Sequence, residues 1–296
     1  YANAKSVSVW GGEDNDTPFY GRVYISIKPV AGATLTETKK TDIINQLKEF
    51  NVASITPIIE DPETTSVQLN VNVKYDAKST TQTADSISAL VTSAITNFNT
   101  NNLQEFDSIF RHSKFIETVN KVDDSILSNI TTVKLHKSFT AVTTGSTSYT
   151  VNYNNALYNP HSGHNASAGG ILTSSGFKIS GDATNEYFLD EDGEGNVRLY
   201  YLVGTTRTYS NSSQGTINYS TGVITINSLN ITSVSNVDGA TSTAIRLTVI
   251  PSSVDVIPVR NQVLEIDETN TTVSVSADTY DTTSGIGYTS ATSYAS

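Results

Sequence analysis

The chain has 296 residues, neither cysteine nor methionine, and a formal net charge of −11 with an isoelectric point near 4.7. The acidic balance and the absence of any basic run argue against nucleic-acid and anionic-lipid partners, because both depend on clustered Lys and Arg. Without cysteine, disulfides, thiolate catalysis and Cys-ligated zinc are excluded. No apolar stretch approaches the ~20 residues that span a bilayer, so no membrane partner is expected.

The first half of the chain alternates strand and helix patterns. Residues 22–28 alternate apolar and polar side chains and stop at Pro29, which ends a ladder in mid-sheet. Residues 36–50 carry an apolar stripe at helical spacing, and Thr34 and Glu37 have the spacing of a capping box. Residues 66–76, SVQLNVNVKYD, alternate strictly and predict a strand with one covered and one solvated face.

Two more helices and a strand complete this half. Residues 83–98 repeat apolar side chains every three or four positions, and residues 114–122 form a shorter helix capped by Ser113. A strand is predicted over residues 130–139. The order β-α-β-α-α-β favours an α+β fold, with helices packed on a mixed sheet over residues 1–140.

From about residue 140 the helical signal stops. Short alternating runs separated by turn residues take over, which is typical of β-hairpins. We predict an all-β domain, sandwich-like or barrel-like, for residues 141–278, with a long surface loop at 154–175. Residues 279–296 are predicted to be a polar carboxy-terminal tail.

An acidic, glycine-bent stretch near the start, VWGGEDNDTPFYGRVYISIKP at residues 9–29, could be a site or a piece of architecture. Glycine frees the backbone to turn, Asp and Asn bond their own backbone, and proline fixes the exit into a strand. We interpret the stretch as architecture, with the ring of the chain's one tryptophan buried as an anchor. The predicted structural turn comprises Trp10, Gly11, Gly12, Asp14, Asn15, Asp16, Pro18, Tyr20 and Gly21.

The motif LDEDGEGN, residues 189–196, is the best candidate for a metal site. Asp190, Asp192 and Glu194 are spaced like the start of a calcium loop, but the twelfth position is Tyr201 instead of a bidentate Glu. The motif also joins two strands rather than two helices. A plain β-turn is therefore the favoured interpretation, and weak Ca²⁺ binding is the alternative.

Other chemistry is poorly supported by the sequence. His161 and His164 form an H-x-x-H pair without a third ligand, which favours a solvated loop over zinc. There is no Gly-x-Ser-x-Gly elbow and no phosphate-binding Gly-Lys-Ser/Thr loop. We expect no enzymatic activity, no cofactor and no small-molecule substrate.

Four blocks of sequence carry a resemblance to a known family. They are residues 9–29, given above, and SITPIIEDPETTSVQLNVNVKYD, FDSIFRHSKF and VDDSILSNITTVKLHKSF at 54–76, 106–115 and 122–139. In this order they resemble the carboxy-terminal half of the baseplate wedge protein of T4-like contractile-tailed phages, and more widely the baseplate J-like family.

The resemblance implies a structural protein of the virion, located in the tail baseplate and assembled in the bacterial host cytoplasm. It implies a homodimer that joins other baseplate wedge proteins in a ring around the tail hub, and a ring that rearranges when sheath contraction is triggered. It also implies a missing amino-terminal half, as we expect for a chain that starts at Tyr1 and lacks methionine. The residues of the interface are not predicted.

The alternative function is a carbohydrate-binding or adhesin module of a virion or cell surface. It rests on the β-rich second half and its aromatic side chains, because aromatic faces bind sugars. The tyrosines concerned are Tyr149, Tyr153, Tyr158, Tyr187, Tyr200, Tyr201, Tyr209 and Tyr219.

Overall fold

The computed structural model describes residues 3–15, 17–50, 55–164 and 170–278. Over these ranges the protein is mostly β, with few helices, which fits an α+β class in broad terms. The elements in chain order are β1 (Ala4–Gly11), β2 (Arg22–Pro29), α1 (Glu37–Lys48), β3 (Thr56–Glu60), β4 (Glu63–Tyr75), α2 (Ala84–Asn102), α3 (His112–Asn120), β5 (Ile126–Thr140), β6 (Thr147–Asn152), β7 (Thr173–Ser174), β8 (Phe177–Ile179), β9 (Asp182–Glu191), β10 (Asn196–Val203), β11 (Thr206–Asn218), β12 (Val223–Leu229), β13 (Ile231–Val234), β14 (Ala244–Val249), β15 (Gln262–Ile266) and β16 (Thr272–Ala277).

The first 60 residues contain a small three-stranded sheet in the order β1-β2-β3. β1 runs antiparallel to β2, and β3 runs parallel to β2 after the α1 crossover. The buried apolar side chains of this region include Tyr24 and Ile27 in β2 and Leu35 just before α1, and they lie outside the main apolar core of the protein. This sheet is therefore a separate, lightly covered unit, which we call the amino-terminal unit.

Helix α1 differs from its prediction in two ways. Its N-cap is Thr36 rather than Thr34, because the helix starts at Glu37 and the Thr36 side chain accepts a hydrogen bond from the Lys39 amide. Its predicted apolar stripe is only partly covered, and Phe50 beyond its end is 84% exposed. The buried residue of the helix is Lys40, whose ammonium group contacts Glu37 and Asp61 at 2.6 and 2.8 Å.

A six-stranded sheet forms the centre of the molecule. Its order is β15-β4-β5-β14-β7, and β16 continues alongside β4 beyond β15. β15 and β16 run parallel to β4, whereas β5 and β14 are antiparallel to their neighbours. The alternating face predicted for β4 is confirmed, since its apolar side chains Val67, Leu69, Val71, Val73 and Tyr75 are all buried.

Helices α2 and α3 bury apolar side chains in the same core as β4. The predicted stripe of α2 contributes Ile87, Val91, Ile95 and Phe98, but Leu90 is 42% exposed. Thr83 caps the helix by accepting a hydrogen bond from the Ser86 amide at 3.2 Å.

Helix α3 is not capped by Ser113 as predicted. It begins at His112, and the His112 amide donates to Asp255 Oδ1 at 2.8 Å, while Arg111 Nη1 donates to Asp255 Oδ2 at 2.8 Å. The capping carboxylate comes from a loop 143 residues further along the chain. Local sequence spacing could not reveal such a cap.

The strands between residues 147 and 234, apart from β7, form an antiparallel seven-stranded sheet in the order β13-β8-β9-β10-β11-β12-β6. The chain enters this sheet after β5 and returns from it to β14. Two predicted short runs, 206–209 and 215–219, belong to the single long strand β11. The predicted surface loop at 154–175 is partly internal, because Leu157, Ile171 and Leu172 are buried.

Strands on the two sides of the predicted domain boundary at residue 140 pair in the same sheet. β14, β15 and β16 lie beyond this boundary, yet they pair with β5 and β4 in the central sheet. Parallel pairing between segments about 200 residues apart leaves no local signal, so the division drawn from helix content did not anticipate it. No helix among the described residues is both long and apolar enough to cross a membrane.

Candidate interaction surfaces

The predicted structural turn is closed by contacts from four of its residues. The Trp10 ring stacks on Tyr24, with centroids 5.7 Å apart, and its Nε1 donates to Asn15 Oδ1 at 2.8 Å. The carbonyl oxygen of Gly12 accepts from the Phe19 amide at 2.8 Å. A Cβ at Gly12 would lie 2.0 Å from the Phe19 carbonyl oxygen, so only glycine fits there.

The end of the turn joins β2 to β3. Gly21 has φ of +76°, and its carbonyl oxygen accepts from the Thr56 amide at 2.9 Å. Pro18 and Tyr20 are exposed, and Tyr20 is 83% exposed.

Gly11 belongs to β1, where it pairs with Val23 of β2. Gly11 is half-buried and Asp14 is exposed, while Asp16 lies outside the described residues. Trp10 is half-buried rather than buried, because β1 is an edge strand and Tyr24 covers the ring from one side. An architectural role for the turn therefore stays a prediction.

The outer edge of β1 is an open surface of the amino-terminal unit. Among the described strands, β2 is the only neighbour of β1. Val7 and Val9 point to one face, and they are 51% and 60% exposed. Exposed strand edges with few charged residues readily accept a further strand.

The three carboxylates of the candidate calcium motif point in different directions. Asp190 is fully buried and accepts from Arg198 Nε, Arg207 Nη1 and the Tyr209 hydroxyl at 2.9, 2.7 and 2.9 Å. Burial raises the pKa of Asp190, and the hydrogen bonds and charges of its partners oppose that rise.

The other two carboxylates serve the turn between β9 and β10. Asp192 accepts from the amides of Glu194 and Asn196 at 2.8 and 2.9 Å, as expected for a turn, and Glu194 bonds Ser162. No group of three His, Cys, Asp or Glu side chains in the described part of the chain is arranged to hold a metal ion.

Sequence reasoning missed the buried carboxylate Glu191. Its oxygens accept from the Ile171 amide at 2.9 Å, from the Gly193 amide and from the Tyr219 hydroxyl. Burial, together with this carboxylate, raises the pKa of Tyr219. Glu191 thereby ties together the 170–172 segment, the β9–β10 turn and the residue that follows β11. The sequence signal that could have indicated its burial was its position at the end of the alternating run that forms β9.

The histidines are separate from one another except for one pair. His164 Nδ1 lies 3.0 Å from His161 Nε2 in an exposed loop. His136 Nε2 lies 2.7 Å from Asp267 Oδ2 on the outer face of the central sheet, and His112 Nε2 lies 3.1 Å from the Thr131 carbonyl oxygen. None of these arrangements pairs a base with a nucleophile.

Two open, polar depressions lie on the described surface. One of about 610 Å³ is lined by Asn159, Glu194 and Tyr219, and one of about 450 Å³ is lined by His136 and Arg246. Their walls are hydrogen-bonded side chains that already serve the fold.

The tyrosines proposed for sugar binding are mostly inside. Tyr149, Tyr153, Tyr187 and Tyr200 are buried, whereas Tyr158 and Tyr209 are each 40% exposed. A flat platform of several exposed rings is therefore not formed by these residues.

Comparison with known proteins gives matches for the first part of the chain. Residues 1–60 match the family "Baseplate structural protein gp6, C-terminal domain I", and residues 63–138 match "Baseplate structural protein gp6, C-terminal domain III". These two regions are gp6-like. The chain is also 29% identical over 115 residues to baseplate wedge protein gp6 of Enterobacteria phage T4, an alignment that covers 39% of this chain and 17% of that relative.

The boundaries of the two gp6-like regions lie at or close to boundaries between structural elements. The first coincides with the amino-terminal unit, and the second with β4, α2, α3 and β5. β7, β14, β15 and β16, which complete the central sheet, lie outside both regions, as does the seven-stranded sheet. These findings support a gp6-like baseplate protein.

Proposed function

We propose that the chain is a structural component of a phage tail baseplate wedge, located in the virion and of the baseplate J-like kind. The observation that carries this proposal is the match of two consecutive regions to gp6 C-terminal domains, in chain order. The role is mechanical and not enzymatic: the chain holds neighbouring proteins in register through shape, without a cofactor, nucleic acid or substrate.

We further propose that two copies pair through the outer edge of β1. A two-fold contact uses the same patch twice, so antiparallel pairing of β1 with its counterpart would bring Val7 and Val9 of both copies onto one face. Lys5 is the only charged residue of β1, and the strand contains no proline, so little opposes strand addition. The pairing would extend each three-stranded sheet into one of six strands.

Contacts with other wedge proteins are proposed for the end of the amino-terminal unit that carries Tyr20 and Phe50. The Thr56–Gly21 hydrogen bond brings the start of β3 beside the turn, and Phe50 lies at the end of α1 that leads into β3. Tyr20 and Phe50 are 83% and 84% exposed, and aromatic side chains are frequent energetic centres of protein interfaces.

The proposed rearrangement of the ring is supported by the thin connection between the amino-terminal unit and the rest of the molecule. Polar contacts across this boundary include Lys5 Nζ to Gln104 Oε1 and the Phe106 amide to Ser6 Oγ, both at 3.2 Å. Each such hydrogen bond contributes only about 0.5–1.5 kcal/mol net to stability. The unit could therefore shift as a body while both sheets stay intact.

Sedimentation equilibrium of the chain tests self-pairing directly. We expect a dimer, and we expect Val9→Asp to weaken association at least about tenfold, because the pairing would bury its carboxylate. Val254→Asp is the matched control, since Val254 is 49% exposed in a loop far from β1 in the chain. A monomeric wild type, or equal association of wild type and Val9→Asp, would contradict the β1 contact.

A further inference from the structure

The tip of the β10–β11 hairpin exposes apolar surface. Between residues 147 and 234, the exposed large apolar side chains of the described residues are Tyr158, Leu202, Val203 and Tyr209. The last three lie on this hairpin, where they are 45%, 60% and 40% exposed. We call Leu202, Arg207 and Tyr209 the hairpin patch.

Strand register places an arginine within this apolar surface. Leu202 pairs with Arg207 and Tyr200 pairs with Tyr209 across the hairpin, so these four side chains share one face. The other face carries the buried Leu199 and belongs to the core. The patch therefore lies on the outer face of the seven-stranded sheet.

Arg207 is held in place by two contacts. Its Nη1 donates to the buried Asp190 carboxylate at 2.7 Å, and its guanidinium lies 4.8 Å from the centroid of the Tyr200 ring. Arg198 binds the same carboxylate and stacks on Tyr209 at 4.3 Å. Because its geometry is fixed before binding, Arg207 would lose little side-chain entropy on meeting a partner.

The Arg207 guanidinium can also donate hydrogen bonds to a further acceptor. A guanidinium carries five N–H donors, and the Arg207 side chain remains 32% exposed beside its bond to Asp190. Two arginines face one carboxylate here, so the patch has a local positive excess on a chain of net charge −11. The carboxylate of the neighbouring Glu191 is bonded to Tyr219.

We propose that the hairpin patch docks a partner protein segment that presents a carboxylate beside an apolar side chain. The carboxylate pairs with the Arg207 fork, and the apolar side chain packs on Leu202 and the Tyr209 ring. Tyr and Arg are the residues in which binding energy concentrates at protein interfaces. The patch lies outside the gp6-like regions, so this inference does not depend on the proposed baseplate role.

A pair of short peptides tests the proposal on the whole chain. The probe is acetyl-Leu-Glu-Leu-Asp-Leu amide, and its control replaces the acids by Gln and Asn. Binding is followed by the NMR signals of the arginine Nε–H groups up to about 10 mM peptide. We expect saturable shifts at Arg207 and Arg198 with the acidic peptide, and none with its control.

Variants separate docking from general charge attraction. Arg207→Gln should weaken binding at least about tenfold. Arg207→Lys should weaken it severalfold, because lysine lacks the paired N–H donors of the guanidinium. Arg260→Gln, on the exposed loop before β15, should leave binding unchanged. Thermal unfolding of each variant checks that it is folded. Equal binding of the two peptides, no binding by wild type, or unchanged binding by folded Arg207→Gln would overturn the proposal.

Discussion

The Tyr153 hydroxyl donates a hydrogen bond of 2.7 Å to the carbonyl oxygen of Leu247. Tyr153 follows β6 of the seven-stranded sheet, and Leu247 is in β14 of the central sheet. Both residues are fully buried in one continuous apolar core, and burial raises the pKa of the Tyr153 hydroxyl. This hydrogen bond links the two sheets inside the core.

Tyr153→Phe should lower the free energy of unfolding by about 1–2 kcal/mol, because the ring is kept and one buried hydrogen bond is lost. Tyr158→Phe is the matched control at a 40% exposed position and should change it by less than about 0.5 kcal/mol. Urea unfolding followed by circular dichroism measures both. Equal effects of the two substitutions would mean that the hydroxyl of Tyr153 contributes nothing.

Asp190→Asn should destabilise the protein by about 2–3 kcal/mol, because Arg198 and Arg207 would lose their shared carboxylate. The comparison is Asp238→Asn, which breaks a two-bond pair with Arg246 at a site where Asp238 is 31% exposed. Surface pairs contribute less than about 1 kcal/mol. Denaturant midpoints give the difference, and a smaller loss for Asp190→Asn than for Asp238→Asn would refute the assignment.

Gly12→Ala should destabilise the amino-terminal unit by about 1–3 kcal/mol, since its Cβ would meet the Phe19 carbonyl oxygen at 2.0 Å. Gly145→Ala is the control, because a Cβ there meets nothing within 4 Å. Hydrogen exchange of the β1 and β2 amides should rise in the first variant alone. Unchanged exchange in Gly12→Ala would show that the turn adjusts freely.

Mild acid should lower the free energy of unfolding through His136, which lies in β5 beside Asp267. Burial lowers the pKa of His136 below 6.5, more than the Asp267 carboxylate raises it, while Arg246 adds to the lowering and Asp238 opposes it. The unfolded chain therefore binds a proton before the folded one as pH falls below 6.5, so stability present at higher pH is lost, by at most about 1.4 kcal/mol per pH unit.

His136→Gln should remove this part of the pH dependence. The measurement is the urea midpoint between about pH 5 and pH 7.5, and the control is His161→Gln in the exposed 161–164 loop. If the urea midpoint of His136→Gln depends on pH as steeply as that of the wild type, another group is responsible for the pH dependence.

Local elements of this fold could be predicted from the sequence, but long-range partners could not. The alternation of β4 and the stripe of α2 are periodic signals that burial on one face imposes directly. The Asp255 cap of α3 and the pairing of β15 and β16 with β4 join residues far apart in sequence. No spacing rule connects them.

The surfaces were harder still to predict than the fold. Asp190 was named from its acidic spacing only as a weak calcium-ligand candidate. The motif could not show that its partners are arginines on β10 and β11. The exposure of Val9 depends on β1 being an edge strand, which is a property of the whole sheet. The sequence pattern therefore does not reveal which strand lies at a sheet edge or which residues pair across neighbouring strands.

Cryo-electron microscopy of the phage particle that carries this chain tests the central proposal most directly. The account predicts the amino-terminal unit and the central sheet within the tail baseplate, with the β1 edges of two copies in contact. Density for the chain outside the baseplate, or its absence from the particle, would contradict the proposed role.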